Sequence, residues 1–260
     1  MSAARAFLRP AMKRPNLRVE TGAHVLRILF EGKRATGVVY RQGGREVIVK
    51  AGREVILSGG AVNSPQVLML SGIGAGDDLG SHGLTVVHDN PNVGRHLQDH
   101  LGSGYTFGVT HPTINERLHS WPAKLLSGAQ YLLTRRGPLS LSINHGGGFF
   151  RTSPNRPRPN MQLYFQAMST LTGKHDGERP VLNPDPFRGI GLGLSACRPT
   201  SRGHLELRSA DPFDAPAIHP NSYGTEHDIQ EMLEAMRFLR HLAAQPAFAE
   251  VITEELRPGP

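Results

Sequence analysis

Residues 60–74 read GAVNSPQVLMLSGIG, and the short apolar run Val55-Ile56-Leu57 leads into them through a turn of small residues, Ser58-Gly59-Gly60-Ala61. Ser64 has the chemistry of an N-cap, and Pro65 suits the first helical position, where its missing N–H removes no hydrogen bond. Val67-Leu68-Met69-Leu70 supplies an apolar helix body and Gly72 a stop. The stretch therefore predicts a strand, a tight glycine turn, a short buried helix and a second glycine turn. Such a geometry serves either as a plain strand-to-helix connection or as a place where backbone N–H groups approach an anion or a cofactor ring.

Upstream of this stretch, residues 2–12 predict a short helix broken by Pro10, and Leu17-Arg18-Val19-Glu20 begins a strand. Residues 25–30, VLRILF, predict another strand. Residues 35–41 and 46–50 flank Gly43-Gly44, a hairpin signal. Val55-Ile56-Leu57 is continuously apolar, the pattern of a strand buried on both faces.

Downstream, Asp77-Asp78-Leu79 predicts a second short helix ending near Gly83, and Val86-Val87 a brief strand. Pro91 and Gly94 shape a loop over residues 89–100. Within it His96 and His100 are four residues apart, a spacing that on a helix would aim both imidazoles at one metal. No helical run surrounds them and no HExxH glutamate accompanies them, so they read as structural, and no metal ligand set is expected.

After Gly104, strands are expected over residues 105–109, 146–150, 161–165, 190–197 and 203–208, the last two as a pair. A helix is expected over residues 121–133. Residues 170–189 are rich in Gly and Pro and predict a long loop or lid. Thr225-Glu226-His227-Asp228 resembles a capping box with Asp in place of Glu or Gln. Behind it Ile229, Met232, Leu233, Met236, Leu239 and Leu242 recur at helical spacing, which predicts a helix of about 18 residues and about 27 Å. Its methionines read as core filling. Beyond Pro246 the pattern thins and no further element is expected.

Composition narrows the function classes. The 260 residues suffice for one large domain or two small ones, and 30 Gly with 20 Pro announce many turns. The single cysteine, Cys197, rules out an internal disulfide and a cysteine zinc cluster, as suits a reducing, cytoplasmic setting. The net charge of +7 raises the question of nucleic acid. The basic residues are scattered and not interleaved with aromatics, so no nucleic-acid partner is expected. No apolar run approaches the roughly 20 residues that span a bilayer, which leaves peripheral association as the only membrane contact the sequence suits.

The residues themselves say more than their spacing. Gly60-Ala61, Ser64-Pro65, Leu68-Met69 and Ser71-Gly72-Ile73-Gly74 resemble the second signature of the glucose-methanol-choline (GMC) flavin oxidoreductases. DNPNVGRHLQDHL, TRRGPL, GGGFF, SRGHLELRSADP and IHPNSY are also similar to family segments, so the resemblance covers nearly the whole chain and points to the choline-dehydrogenase-like alcohol dehydrogenases. It implies a mixed α+β and α/β fold. Residues 1–103 would be the remainder of an FAD-binding domain, and residues 104–260 a substrate domain with an antiparallel sheet and helices. It implies FAD as cofactor and a small-molecule primary alcohol as substrate, with hydride passing to the flavin and a histidine taking the hydroxyl proton.

Residue by residue, the resemblance implies that the Val25 backbone contacts the adenine and that Ser58, Gly59, Gly60 and Ala61 approach the FAD. The alternatives are an ordinary buried strand valine and a bare tight turn. His145 stands just before the Gly-Gly-Phe turn, where choline-type members often carry an acidic residue; it reads as a substrate-side residue of an enzyme not built for choline, or as an ordinary loop histidine. His96 replaces the family's asparagine before Leu97.

Two family parts are not found. Neither Gly72-Ile73-Gly74-Ala75-Gly76-Asp77 nor Gly189-Ile190-Gly191-Leu192-Gly193 is a proper GxGxxG pyrophosphate turn, and both read as loops. No histidine sits in the context of the family's C-terminal catalytic block, so no catalytic residue is assigned. The expectation is a central section of a GMC enzyme, inactive by itself. The alternative is a non-catalytic product, or one half of a split enzyme that a complementing chain completes.

Overall fold

The computed structural model describes residues 2–171 and 183–259. The loop expected over residues 170–189 lies mostly outside them. The chain divides into two compact units, residues 1–97 with 202–221, and residues 98–201 with 222–260.

In the first unit, a π-helical turn (Ala4–Leu8) runs into the short helix α1 (Arg9–Ala11), with Pro10 inside it. Residues 17–20 form no strand. Strands β1 (His24–Glu31), β2 (Arg34–Gln42) and β3 (Arg45–Lys50) make an antiparallel meander with the Gly43-Gly44 turn between β2 and β3, as the hairpin signal required. Leu26, Ile28, Val39 and Tyr40 are its buried side chains.

Val55-Ile56-Leu57 is a correction. It is not a strand, and Ile56 is 78% exposed. A strand buried on both faces needs neighbours on both edges, and no strand among the described residues pairs with this run.

Helix α2 (Gly60–Leu70) follows at once. It begins four residues before the expected N-cap, with Gly59 in that place, so Ser64 and Pro65 lie inside the helix. Val67, Met69 and Leu70 are buried. The turn after it leads to β4 (Ile73–Gly74), helix α3 (Gly76–Ser81) and β5 (His88–Asp89), which pairs with β4 in parallel. The brief strand thus forms just beyond Val86-Val87. Strand β6 (Arg95–Leu97) joins β11 (Gly203–Glu206) and β12 (Ala217–His219) in a three-stranded sheet of order β12-β11-β6.

The second unit is built on a five-stranded antiparallel sheet of order β13-β7-β10-β9-β8. Its strands are β7 (Gly102–Val109), β8 (Gly146–Phe150), β9 (Met161–Gln166), β10 (Gly189–Ala196) and β13 (Ile252–Arg257). Helix α4 (Ile114–Leu118) carries a capping box between Thr113 and Glu116 and precedes α5 (Trp121–Thr134). Helix α6 (Glu226–Ala243) starts at the Thr225 cap, whose hydroxyl accepts the Asp228 N–H, and α7 (Pro246–Ala249) follows. Met232, Ala235, Leu239 and Ala243 of α6 share one core with Tyr105, Phe107, Ile190, Leu192 and Leu194 of the sheet. Ile229 and Leu233 stay at the surface, so the buried stripe is narrower than the periodicity implied and includes two alanines.

Three further expectations are corrected. The predicted 190–197 and 203–208 strands do not pair: β10 belongs to the five-stranded sheet and β11 to the three-stranded one. Gly189-Ile190-Gly191-Leu192-Gly193 is no loop but the body of β10, paired on both edges with β7 and β9. The stretch after Pro246 is not featureless, because β13 pairs with β7 through Ile252, Glu254, Glu255 and Arg257. The local pattern of β13 is too polar to announce a strand; its partner supplies the reason for it.

Candidate functional site

The candidate cofactor residues all lie in the first unit. Ser58, Gly59, Gly60 and Ala61 are exposed and form the entry to α2. The first four N–H groups of a helix have no intrahelical partner, and no side chain caps those of α2. Gly60 has φ of +81°, a conformation that favours glycine. A Cβ placed on Gly60 meets nothing within 4 Å, whereas one on Gly59 comes within 3.2 Å of the Ser64 nitrogen. The turn is thus open outward and tight inward. An open, uncapped, positively polarised helix start of this kind fits the approach of a cofactor's anionic or polar edge.

Val25 sits on β1 opposite Tyr40 and is 37% exposed. It is not the buried valine that a plain core strand would carry; His24 before it is exposed, and Leu26 after it is buried. The helix that carries the turn is fixed to this strand at its other end: Ser71, immediately after α2, accepts the Ile28 N–H at 2.8 Å and donates to the Val67 carbonyl.

The motif's second glycine turn is equally constrained. Gly72 has φ of +84°, and a Cβ there would lie 2.3 Å from the Thr85 carbonyl oxygen. The Gly72 carbonyl accepts the N–H groups of Val87 and His88, which seats β5 beside β4. Gly74 packs against Met69 and Leu79. Ser71-Gly72-Ile73-Gly74 is therefore a structural lock that holds α2 and its exposed start.

His145 belongs to the second unit. Its backbone N–H donates to the Phe165 carbonyl at 2.8 Å, and its Nδ1 accepts the Ala167 N–H at 3.2 Å. Accepting at Nδ1 leaves the Nε2–H as the donor of a neutral ring. The ring borders a cavity of about 330 Å³, whose other walls include Ile114, Leu118, Leu139, Ile143 and Met168. Lys124 and Ser142 also line it, and a mostly apolar cavity with a few polar groups on its wall is the usual form of a small-molecule site. Next to it, buried Asn115 donates to the Ser169 and Asp185 carbonyls and accepts the Ser169 N–H, pinning α4 to the chain that flanks the cavity.

His96 and His100 do not share a helical face. His96 lies on β6 with φ of +61°, and its Nε2 contacts the Asn92 Oδ1 at 3.1 Å. Among the described residues of the second unit, the Asp228 carboxyl is strongly perturbed. Burial would raise the Asp228 carboxyl, but Ser201 and Thr200 each give it a backbone and a hydroxyl hydrogen bond, and together these hold it well below the ordinary carboxylate range. Thr225-Glu226-His227-Asp228 signalled a cap but not this anchor, because residues 200 and 201 are distant in sequence. No helix among the described residues is long and apolar enough to cross a membrane.

Two family models describing GMC oxidoreductase match the chain, an N-terminal one over residues 1–102 and a C-terminal one over residues 199–260. The chain is 39% identical over its whole length to the alcohol dehydrogenase [acceptor] of Pseudomonas putida, of which it covers 46%. It is also 39% identical to the mitochondrial choline dehydrogenase of Mus musculus, over 99% of this chain and 42% of that protein. The chain thus spans less than half the length of these relatives. Among solved structures, a formate oxidase from Aspergillus oryzae, described with reference to its FAD modification, is 27% identical with a TM-score of 0.86, over 96% of this chain and 48% of that one. A pyridoxine 4-oxidase, 24% identical with a TM-score of 0.79, shares the fold. Both the mixed fold and the flavoprotein character expected from the sequence agree with these relatives, and the chain belongs to the GMC oxidoreductase family, whose members are FAD flavoenzymes.

Proposed function

We propose that this chain is part of an FAD-dependent oxidoreductase that removes hydride from the CH–OH carbon of a small primary alcohol. The observation that carries the reading is identity of 37–40% along the whole chain to alcohol and choline dehydrogenases, together with the exposed, uncapped start of α2. On this reading residues 1–103 serve the cofactor and residues 104–260 the substrate.

Bound FAD supplies the hydride acceptor. The chain's own residues position it and the alcohol. Backbone N–H groups of Gly59, Gly60 and Ala61 would hold the cofactor's polar edge, and the Val25 main chain would contact its adenine. The His145 Nε2–H donates to the substrate oxygen from the cavity wall, while the apolar walls exclude water and favour an alcohol with an apolar body. A donor at this position disfavours a quaternary ammonium substrate, which has no acceptor on its cationic end. None of these residues is placed to take the hydroxyl proton, and the chain by itself is expected to be inactive. No nucleic-acid or membrane-spanning role enters this reading; a cytoplasmic protein, with at most peripheral membrane contact, suits it.

A second reading, a half-enzyme completed by another chain, has one observation in its favour. Trp121, Leu125, Leu126, Leu132 and Leu133 of α5 are each at least 66% exposed, an apolar face of the kind that marks an interface.

Purification of the 260-residue chain tests both. The expected outcome is a colourless, poorly soluble protein that turns over no alcohol when FAD is added. A yellow monomer with a flavin spectrum would overturn the expectation of incompleteness. Binding of FAD that survives replacement of Gly59 and Gly60 by valine would overturn the assignment of the turn.

A further inference from the structure

Strands β11 and β12 bring together three side chains that the flavin chemistry does not use. His204 and Glu206 are two apart on β11, and side chains on a strand repeat every second residue on one face. His204 stands directly opposite His219 of β12 in the antiparallel register. The intervening Leu205 is buried, so the triad occupies the face turned away from the packed side. His204 Nε2 lies 3.2 Å from Glu206 Oε1, and His219 Nε2 lies 3.8 Å from Glu206 Oε2. The two imidazole rings stack with centroids 4.6 Å apart. One donor atom from each of the three residues falls within 4.8 Å of the other two.

We propose that His204, Glu206 and His219 bind a divalent transition cation, with zinc the best match. A tetrahedral zinc with bonds of about 2.0–2.2 Å holds its donors about 3.3 Å apart. The His–Glu separations of 3.2 and 3.8 Å bracket that spacing, and the antiparallel register places the two histidine side chains opposite each other, so that side-chain rotation is the adjustment the site calls on to bring the three donors onto one ion. Two imidazoles with one carboxylate select such a cation over calcium or magnesium, which prefer all-oxygen shells. Three protein donors leave a fourth position for water.

Arg95 on the neighbouring strand β6 contacts Glu206 Oε1 at 3.5 Å with one guanidinium nitrogen and Asp78 Oδ2 at 3.3 Å with the other. Arg95 shares Glu206 Oε1 with His204 and is itself held by Asp78, the position of an outer-shell partner that orients a ligating carboxylate. The cation clips edge strand β12 to β11, so its binding to the folded state stabilises that sheet.

The test is titration of the full chain, at micromolar concentration, with zinc chloride against a chromophoric chelator, with thermal unfolding measured alongside. The expected result is one zinc per chain and a raised unfolding temperature, with no such rise from calcium or magnesium. His204→Ala, His219→Ala and Glu206→Gln each weaken that site by about tenfold or more and abolish the thermal rise, while His96→Ala leaves both intact. Circular dichroism checks each variant's fold, and His204→Asn and His219→Asn replace any alanine variant that loses it. Cobalt substitution reads the donor set, since tetrahedral cobalt absorbs strongly in the visible. Absence of zinc binding in competition with the chelator, or an affinity unchanged in the triad variants, overturns the proposal.

Discussion

The hydroxyl oxygen of Ser71 accepts the backbone N–H of Ile28 at 2.8 Å, from a position one residue beyond the end of helix α2. Both groups are buried, and the same hydroxyl donates to the Val67 carbonyl. One side chain therefore ends a helix and completes the hydrogen bonding of a strand 43 residues away. Ser71→Ala removes the acceptor and leaves the Ile28 N–H without a partner in a dry environment, at a cost of about 1–3 kcal/mol. Pulse proteolysis in urea, which needs only dilute protein, should show a lower midpoint for the first unit. An unchanged midpoint would contradict this role.

Gly72→Ala should be more damaging than Ser71→Ala. The position combines a φ of +84° with a carbonyl oxygen 2.3 Å from where the new Cβ would stand. Backbone has to move, and the bonds from Val87 and His88 to the Gly72 carbonyl go with it. The expected outcome is loss of more than about 3 kcal/mol, or failure of the first unit to fold. Gly80→Ala, where a Cβ meets nothing within 4 Å, is the control and should be well tolerated.

Asp228 gives the second unit a pH dependence with a definite sign. Its carboxyl is depressed in the folded state because Thr200 and Ser201 hydrogen bonds outweigh burial. A depressed carboxyl stabilises fully above its unfolded value of about 3.9 and loses that contribution as pH falls from there toward the folded value. Asp228→Asn should therefore destabilise at neutral pH, and the gap between the variant and the parent should narrow progressively below about pH 4. Urea midpoints from pH 7 to pH 3 measure it. A gap constant over that range would rule out the linkage.

Leu239 is fully buried between α6 and the five-stranded sheet. Leu239→Ala should cost about 2–5 kcal/mol through lost apolar contact and the cavity left behind. Leu233→Ala on the same helix, at a position 43% exposed, should cost far less. Comparable losses at the two positions would contradict the packing of α6 described above.

The sequence alone determined what is local. The hairpin at Gly43-Gly44, the helix behind the Thr225 cap, the stop at Gly72 and the family signature in residues 60–74 all rest on neighbours within a few residues, where backbone propensity and side-chain period act directly. It could not determine which strands would meet. Nothing in residues 190–197 and 203–208 says that they enter different sheets, nothing in residues 252–257 announces an edge strand, and Val55-Ile56-Leu57 looks like a buried strand until it is clear that no strand among the described residues pairs with it. Strand pairing and burial are properties of the far partner as much as of the segment. The same reason hid the Ser71–Ile28 bond, the Asp228 anchor at residues 200 and 201, and the approach of His204 to His219: each is made between groups far apart in the chain, and only the folded backbone sets their distance.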